Sequence, residues 1–299
     1  MAHYRYRILN VFAQQAYAGN PLAVFEEAEG LSTARMLQLT QQLNLSESTY
    51  ILKQEQSHGG DARVRIFTPG YEMPFAGHPS LGTAWTLAQS SAPGGKTLVQ
   101  LGLNAGVIPV EVDNDYATLT ANAPSYRAAA PNAQLAAALS IREDAIAATP
   151  EFVNTGSEQM VIPLRSPADV AACRPITHDF IAAASNNEGR ACALVWAWAN
   201  AEEIIARFFW VQGGMAGEDF GTGSACANLG GWMLRHVPDL KLPLRATMIQ
   251  GHSVGRLAHV GLTLEADRRI RVGGRVVQVG SGEFLVDESS GETGGTLFA

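Results

Sequence analysis

The chain has 299 residues, about twice the usual length of one domain, so two similar domains or one large one are expected. Hydrophobic residues make up 46% and charged residues 16%, which points to a large core and excludes a small stapled module or wholesale disorder. The net charge of −7, with no Lys/Arg run, argues against nucleic acid as a partner.

Apolar runs such as residues 193–199 fall far short of the ~20 residues a membrane span needs. The polar, basic start lacks the apolar stretch of an export signal, so a cytoplasmic protein is expected. Three cysteines, Cys173, Cys192 and Cys226, show no C-x-x-C spacing, and neither a disulfide framework nor a structural metal site is indicated.

In chain order, residues 6–12 have strand character, and Ala18-Gly19-Asn20-Pro21 turns the chain into a second apolar run at 22–25. Ser32 is placed to cap a helix over 33–43, with Met36, Leu39 and Leu43 on one face and Gln38, Gln41 and Gln42 on the other. A loop then enters a strand over 45–52. Arg63-Val64-Arg65-Ile66-Phe67 alternates strictly and stops at Thr68-Pro69-Gly70, which reads as a half-buried strand.

Pro79 suits the first turn of a helix, and the uncharged stretch 80–88 behind it must be buried on every side. Residues 225–234 repeat that character, ending at Arg235 and His236. Each helix follows a Gly turn and carries a Trp, Trp85 in one and Trp232 in the other, nearly half the chain apart. Strand-like stretches follow both, at 97–103, 107–112 and 117–121, then at 259–265, 269–272 and 276–279. This order predicts a duplication: two α+β domains, each a central helix wrapped by its own sheet. The domains are expected at 1–125 and 126–286, with residues 124–131 as linker, a tail at 287–299, and a final strand that returns to the first domain.

Chemistry-bearing residues cluster at element ends: Glu47 after Ser46, His78 at the first Gly turn, and Asp219 with Ser224 at the second. If both buried helices point their N-termini into one cleft, their unpaired N–H groups around Gly77 and Gly223 form a site for a carboxylate. A buried acid beside a histidine there would have a pKa suited to moving protons. Each residue also has an ordinary reading: Glu47 as a solvated charge, His78 and Ser224 as helix caps, Asp219 as a fixer of the Gly turn. A Ser224-His78-Asp219 hydrolase lacks the G-x-S-x-G elbow, and Gly221-Thr222-Gly223-Ser224 lacks the Lys and frame of a phosphate loop.

Gly19-Asn20-Pro21-Leu22-Ala23-Val24, Asn44-Leu45-Ser46-Glu47-Ser48-Thr49, Met73-Pro74-Phe75-Ala76-Gly77-His78-Pro79 and Glu218-Asp219 with Thr222-Gly223-Ser224-Ala225 resemble the PhzF-like isomerase family of phenazine biosynthesis. Gln250-Gly251, Gly255-Arg256 and the closing Val279-Gly280-Ser281-Gly282-Glu283-Phe284 extend the likeness along almost the whole chain. The resemblance implies a diaminopimelate-epimerase-like fold of two pseudo-symmetric α+β domains, with the site between them. It implies Glu47 as acid/base, His78 and Asp219 assisting, and Asn20, Gly77, Gly223 and Ser224 binding a small carboxylated substrate, with no cofactor and as a homodimer. The phenazine enzyme acts on a dihydro-hydroxyanthranilate. Phe220-Gly221 and Leu257-Ala258 depart from the family pattern. Ala76 and Phe220 stand where related epimerases carry paired cysteines, which excludes two-thiol chemistry. Three functions remain: a cofactor-independent isomerase, a non-catalytic small-anion binder on the same fold, and a Ser224 hydrolase.

Overall fold

The computed structural model describes residues 1–53, 59–91 and 93–287, so the expected tail lies, Asp287 apart, outside the described residues. The first half contains β1 (Ala2–Val11), β2 (Asn20–Phe25), α1 (Thr33–Leu43), β3 (Glu47–Leu52), β4 (Ala62–Phe67), β5 (Glu72–Met73), α2 (Gly77–Ser91), β6 (Lys96–Leu103), β7 (Gly106–Asp113) and β8 (Tyr116–Thr120). There follow β9 (Ser125–Ala128), α3 (Asn132–Ala138), β10 (Glu151–Asn154), β11 (Glu158–Pro163), α4 (Pro167–Ala172), α5 (Thr177–Ala184), β12 (Cys192–Trp198) and β13 (Glu203–Gln212). The chain closes with β14 (Met215–Asp219), α6 (Gly223–His236), β15 (Leu244–Gln250), β16 (Ala258–Leu264) and β17 (Ile270–Val286).

The pairing pattern repeats. In the first half β2 runs parallel to β3 across α1, and β4 parallel to β6 across α2. In the second, β11 runs parallel to β12 across α4 and α5, and β13 parallel to β15 across α6. The antiparallel pairs β1/β2, β3/β4 and β6/β7 likewise recur as β10/β11, β12/β13 and β15/β16. Strand β17 belongs to both halves: it pairs with β16 and β8 near its start and with β1 over residues 276–286. Through it β1, β2, β3, β4, β6, β7, β8 and β17 close a ring around α2.

The helices form for reasons legible in their residues. In α1 the Ser32 hydroxyl accepts from Arg35 N–H at 3.3 Å, Met36 and Leu39 are buried, and Asn44 ends the helix in the left-handed region. In α2 and α6 small residues permit close packing. A Cβ on Gly82 would lie 2.6 Å from the Leu22 side chain, and one on Gly231 2.9 Å from Pro124. Trp232 packs edge-on against Trp196 at 5.3 Å and donates its indole N–H to the Thr149 carbonyl. Truncating a fully buried residue such as Leu81 to alanine would cost about 2–5 kcal/mol.

Two expectations are corrected. The Ala/Pro-rich segment 124–131 is not a free linker: β9 pairs with β10, and Arg127 lies 3.6 Å over the Phe152 ring while bonding Glu158. Nor is β4 half-buried, because Arg63 is drawn inside by carbonyls of Val64 and Gly102. No helix among the described residues is long and apolar enough to cross a membrane.

Candidate active site

The two Gly turns meet. A Cβ on Gly77 would lie 3.4 Å from the Ser224 nitrogen and 3.6 Å from the Gly223 Cα, so the N-termini of α2 and α6 abut. Neither helix has an acidic residue in its first turn. Thr222 is the N-cap of α6, but its hydroxyl donates to Asp219 Oδ2 at 2.6 Å and leaves the helix without a side-chain cap. The positive ends of two helices thus converge without an acid of their own.

Glu47 opens β3, and His78 is the second residue of α2. His78 Nε2 lies 3.4 Å from Glu47 Oε2, their side chains 7% and 18% exposed, and neither atom has a hydrogen-bond partner. Burial, reinforced by the nearby Asp219 charge, pushes the Glu47 carboxyl up to about 8. Burial pushes His78 down to about 3, opposed by a hydrogen bond with the Pro21 backbone. At neutral pH the imidazole is therefore uncharged, and the Glu47 carboxyl titrates close to neutrality. Glu47 is not a solvated charge, and His78 is buried rather than placed at the surface as a simple cap.

Asp219 ends β14 in a cradle of donors. Asn20 Nδ2 at 3.0 Å and Phe220 N–H at 2.8 Å serve Oδ1, and Thr222 serves Oδ2. Burial raises its pKa, while the bonds from Thr222, Phe220 and Asn20 hold it down. Asn20 also donates to the Gly221 carbonyl at 3.0 Å, and Ser46 donates to Asn20 Oδ1. Asp219 therefore does fix its turn, and through Asn20 it ties the two halves together.

Gln250, Arg256 and Gln159 were not singled out for a role by the sequence. Gln250 donates to the Asp219 carbonyl and to Thr222 Oγ1, and accepts from Thr222 N–H. Arg256 reaches from the second half to carbonyls of Gly19 and Ala18 and to Asn10 Oδ1, with its guanidinium 5.5 Å from the Phe220 ring. The signal available in the sequence was a glutamine placed directly before a glycine at the end of the run Ala246-Thr247-Met248-Ile249; the structure shows that glutamine fully buried. Gly251 has φ +86°, and a Cβ there would strike the Arg256 carbonyl.

Ser224 lies inside α6 rather than at its cap, and its Oγ accepts from Gln159 Nε2 at 2.9 Å. The hydrolase arrangement is not assembled, since the unpartnered His78 Nε2 faces Glu47 and Asp219 is held by other donors. Cys226 is buried in α6 with its thiol pushed up by burial, as a packing residue. Among the described residues no three His, Cys, Asp or Glu side chains form a group that could hold a metal ion. A hollow of about 530 Å³ lies elsewhere, lined by Tyr116, Arg245, Thr247 and Arg271, and has no histidine. Chemistry rather than volume marks the surroundings of Glu47.

The profile of the family described as phenazine biosynthesis-like protein (PhzC-PhzF) matches residues 9–282. An uncharacterized isomerase of Pasteurella multocida is 35% identical over 97% of this chain and 96% of its own. The trans-2,3-dihydro-3-hydroxyanthranilate isomerase of Pseudomonas fluorescens is 30% identical over 95% of this chain and 100% of its own. Among solved structures, the Bacillus anthracis phenazine biosynthesis protein of the PhzF family matches with a TM-score of 0.84 at 21% identity, over 96% of this chain and 100% of that one. The fold is the mixed α+β, diaminopimelate-epimerase-like architecture that the sequence resemblance implied.

Proposed function

The chain belongs to the phenazine biosynthesis-like (PhzC-PhzF) family and is an isomerase of that family, and from this premise we propose that it moves a proton between two carbons of a small carboxylated substrate, with Glu47 as the acid/base. The observation that carries the reading is the buried Glu47 carboxyl, raised to about 8, facing the unpartnered and uncharged His78 Nε2 at 3.4 Å.

In this reading the Glu47 carboxylate takes a proton from a substrate carbon. The C–H electrons move into the conjugated frame, the double bond shifts, and Glu47, now the acid, returns a proton to a second carbon. Atoms and electrons balance without an oxidant or reductant. The charge that develops on the substrate carboxylate is met by the N-termini of α2 and α6, around Gly77 and Gly223, and by the Ser224 hydroxyl. His78 hydrogen-bonds substrate or proton donor as a neutral ring. Asp219, through Asn20 and Thr222, holds the turn that carries Gly223 in place.

The Pseudomonas fluorescens relative, by its name, acts on trans-2,3-dihydro-3-hydroxyanthranilate, a cyclic carboxylate, and that compound is the first substrate to try. Phe220, packed near Arg256, stands where the family carries small residues and is the first candidate for a changed preference. The test is NMR in D2O on a panel of small cyclic carboxylates that includes this compound, with wild-type protein and Glu47→Gln side by side. The proposal expects deuterium uptake by at least one carboxylate that Glu47→Gln abolishes. Ligand binding without exchange would favour the non-catalytic anion binder.

A further inference from the structure

Behind Ser224 runs a buried chain of amides whose polarity is set by backbone groups. The Thr155 N–H can only donate, and it lies 2.9 Å from Asn228 Oδ1, which also accepts from Thr155 Oγ1 at 2.7 Å. The Ser157 carbonyl can only accept, and it lies 2.9 Å from Asn228 Nδ2. These two contacts fix which end of the Asn228 amide is nitrogen. That nitrogen donates its second proton to Gln159 Oε1 at 2.8 Å, so Gln159 must turn Nε2 toward Ser224. An amide nitrogen cannot accept, so Ser224 Oγ accepts there and its own hydrogen points away from Gln159. Among the described residues that hydroxyl hydrogen has no acceptor, and Ser224 sits in the first turn of α6 beside Gly77.

We propose that Gln159, its amide oriented by Asn228, is a positioning residue that makes Ser224 a hydrogen-bond donor to the substrate carboxylate. Gln159 is 5% and Asn228 0% exposed, so water does not compete for the amides and their orientation is held by the fold. The same relay removes Ser224 as a nucleophile, since no base faces its hydroxyl. It also gives the site a reason to distinguish a carboxylate, which offers two charged acceptor oxygens to Ser224 and the helix N–H groups, from a carboxamide, which offers one neutral acceptor and turns an NH2 toward the remaining donors. The inference rests on the reading that Ser224 contacts the substrate carboxylate.

The test is isothermal titration of anthranilate and anthranilamide into the wild-type protein, Ser224→Ala, Gln159→Leu and the double variant, each checked first for a cooperative thermal transition. Ser224→Ala is expected to weaken anthranilate about tenfold and anthranilamide little. Gln159→Leu is expected to weaken anthranilate severalfold, and the double variant to bind no more weakly than Ser224→Ala alone, because Gln159 acts only through the hydroxyl. Unchanged affinity in Gln159→Leu, or losses that multiply in the double variant, would overturn the inference. A Ser224→Ala protein that binds both compounds as the wild type does would instead remove the reading beneath it. If Gln159→Leu does not fold, Gln159→Glu keeps an acceptor for Asn228 but draws the Ser224 proton back. Its anthranilate affinity should fall at least tenfold below wild type at pH 8, where a carboxylate at this position can only accept and holds the Ser224 hydrogen. An anthranilate affinity equal to wild type in that variant would reject the relay.

Discussion

The two halves share one topology and differ in what they bring to the cleft. Each sends a buried, small-residue helix with its N-terminus toward the other, but the first half adds Glu47 and His78, whereas the second adds Ser224 and a tethered Asp219. Strand β12, the counterpart of β3, turns Leu194 and Trp196 into the core beside α6 where β3 turns Glu47 toward His78. Behind Ser224 lies the Gln159–Asn228 amide chain, while α2 meets β3 through a Thr83–Thr49 hydroxyl pair. A symmetric scaffold thus supplies two helix N-termini that meet, and the first half adds the carboxyl that burial raises to about 8, beside an uncharged histidine. A single acid/base fits a reaction in which a proton is taken up and redelivered, and it does not fit one that passes a proton between two opposed bases.

Making the halves alike should have the largest effect. Glu47→Gln is expected to lower proton exchange by at least ~10²-fold while anthranilate binds within a fewfold of wild type, read by NMR exchange and titration calorimetry. Retained exchange would place the base elsewhere.

The same asymmetry shapes stability against pH. Glu47, raised from 4.5 to about 8 in the fold, holds its proton more tightly folded than unfolded, so its stabilisation is complete below 4.5 and is lost as pH rises through 8. His78, lowered from 6.5 to about 3, acts oppositely, and its contribution is complete above 6.5 and lost as pH falls through 3. The two roughly offset each other between 4.5 and 6.5. Above 6.5 only Glu47 remains, and the wild type should lose about 2 kcal/mol between pH 6.5 and 8, a slope that Glu47→Gln removes. Urea melts across that range check it.

A smaller change targets the tie between the halves. Asn20→Ala leaves the Asp219 carboxylate and the Gly221 carbonyl each short of a donor, and should cost about 1–2 kcal/mol with a severalfold loss of exchange, checked by urea melts and NMR. The smallest expected effect comes from association. We propose a homodimer on the family likeness alone, with sites complete in each chain, so sedimentation should show a dimer while activity per chain stays constant as dilution drives it to monomer.

Much of this was legible in the sequence because it is written in local chemistry. Ser32, Met36 and Leu39 fixed α1, and the absence of charge marked α2 and α6 as buried. The motifs around Glu47, His78, Asp219 and Ser224 named residues that the fold brings near one another where the two helix N-termini meet. What escaped depends on partners distant in sequence. Tyr126 and Arg127 become strand only because β10 offers an edge, and Gln159 gains meaning only when α6 packs Asn228 and Ser224 against it. The displaced pKa of Glu47 needs burial and the approach of Asp219 from the other half of the chain, which no local pattern announces.

The most direct test of the single-base account is the fate of the migrating hydrogen. A substrate carrying ordinary hydrogen at the reacting carbon would be turned over once in D2O, and the product analysed by NMR for isotope at the receiving carbon. Glu47 carries one exchangeable proton, and its Oε2 is buried against His78, so the account predicts that a measurable fraction of product retains the original hydrogen, and that Glu47→Gln forms product at least ~10²-fold more slowly. Complete replacement by deuterium in the first turnover, with exchange persisting in Glu47→Gln, would contradict it.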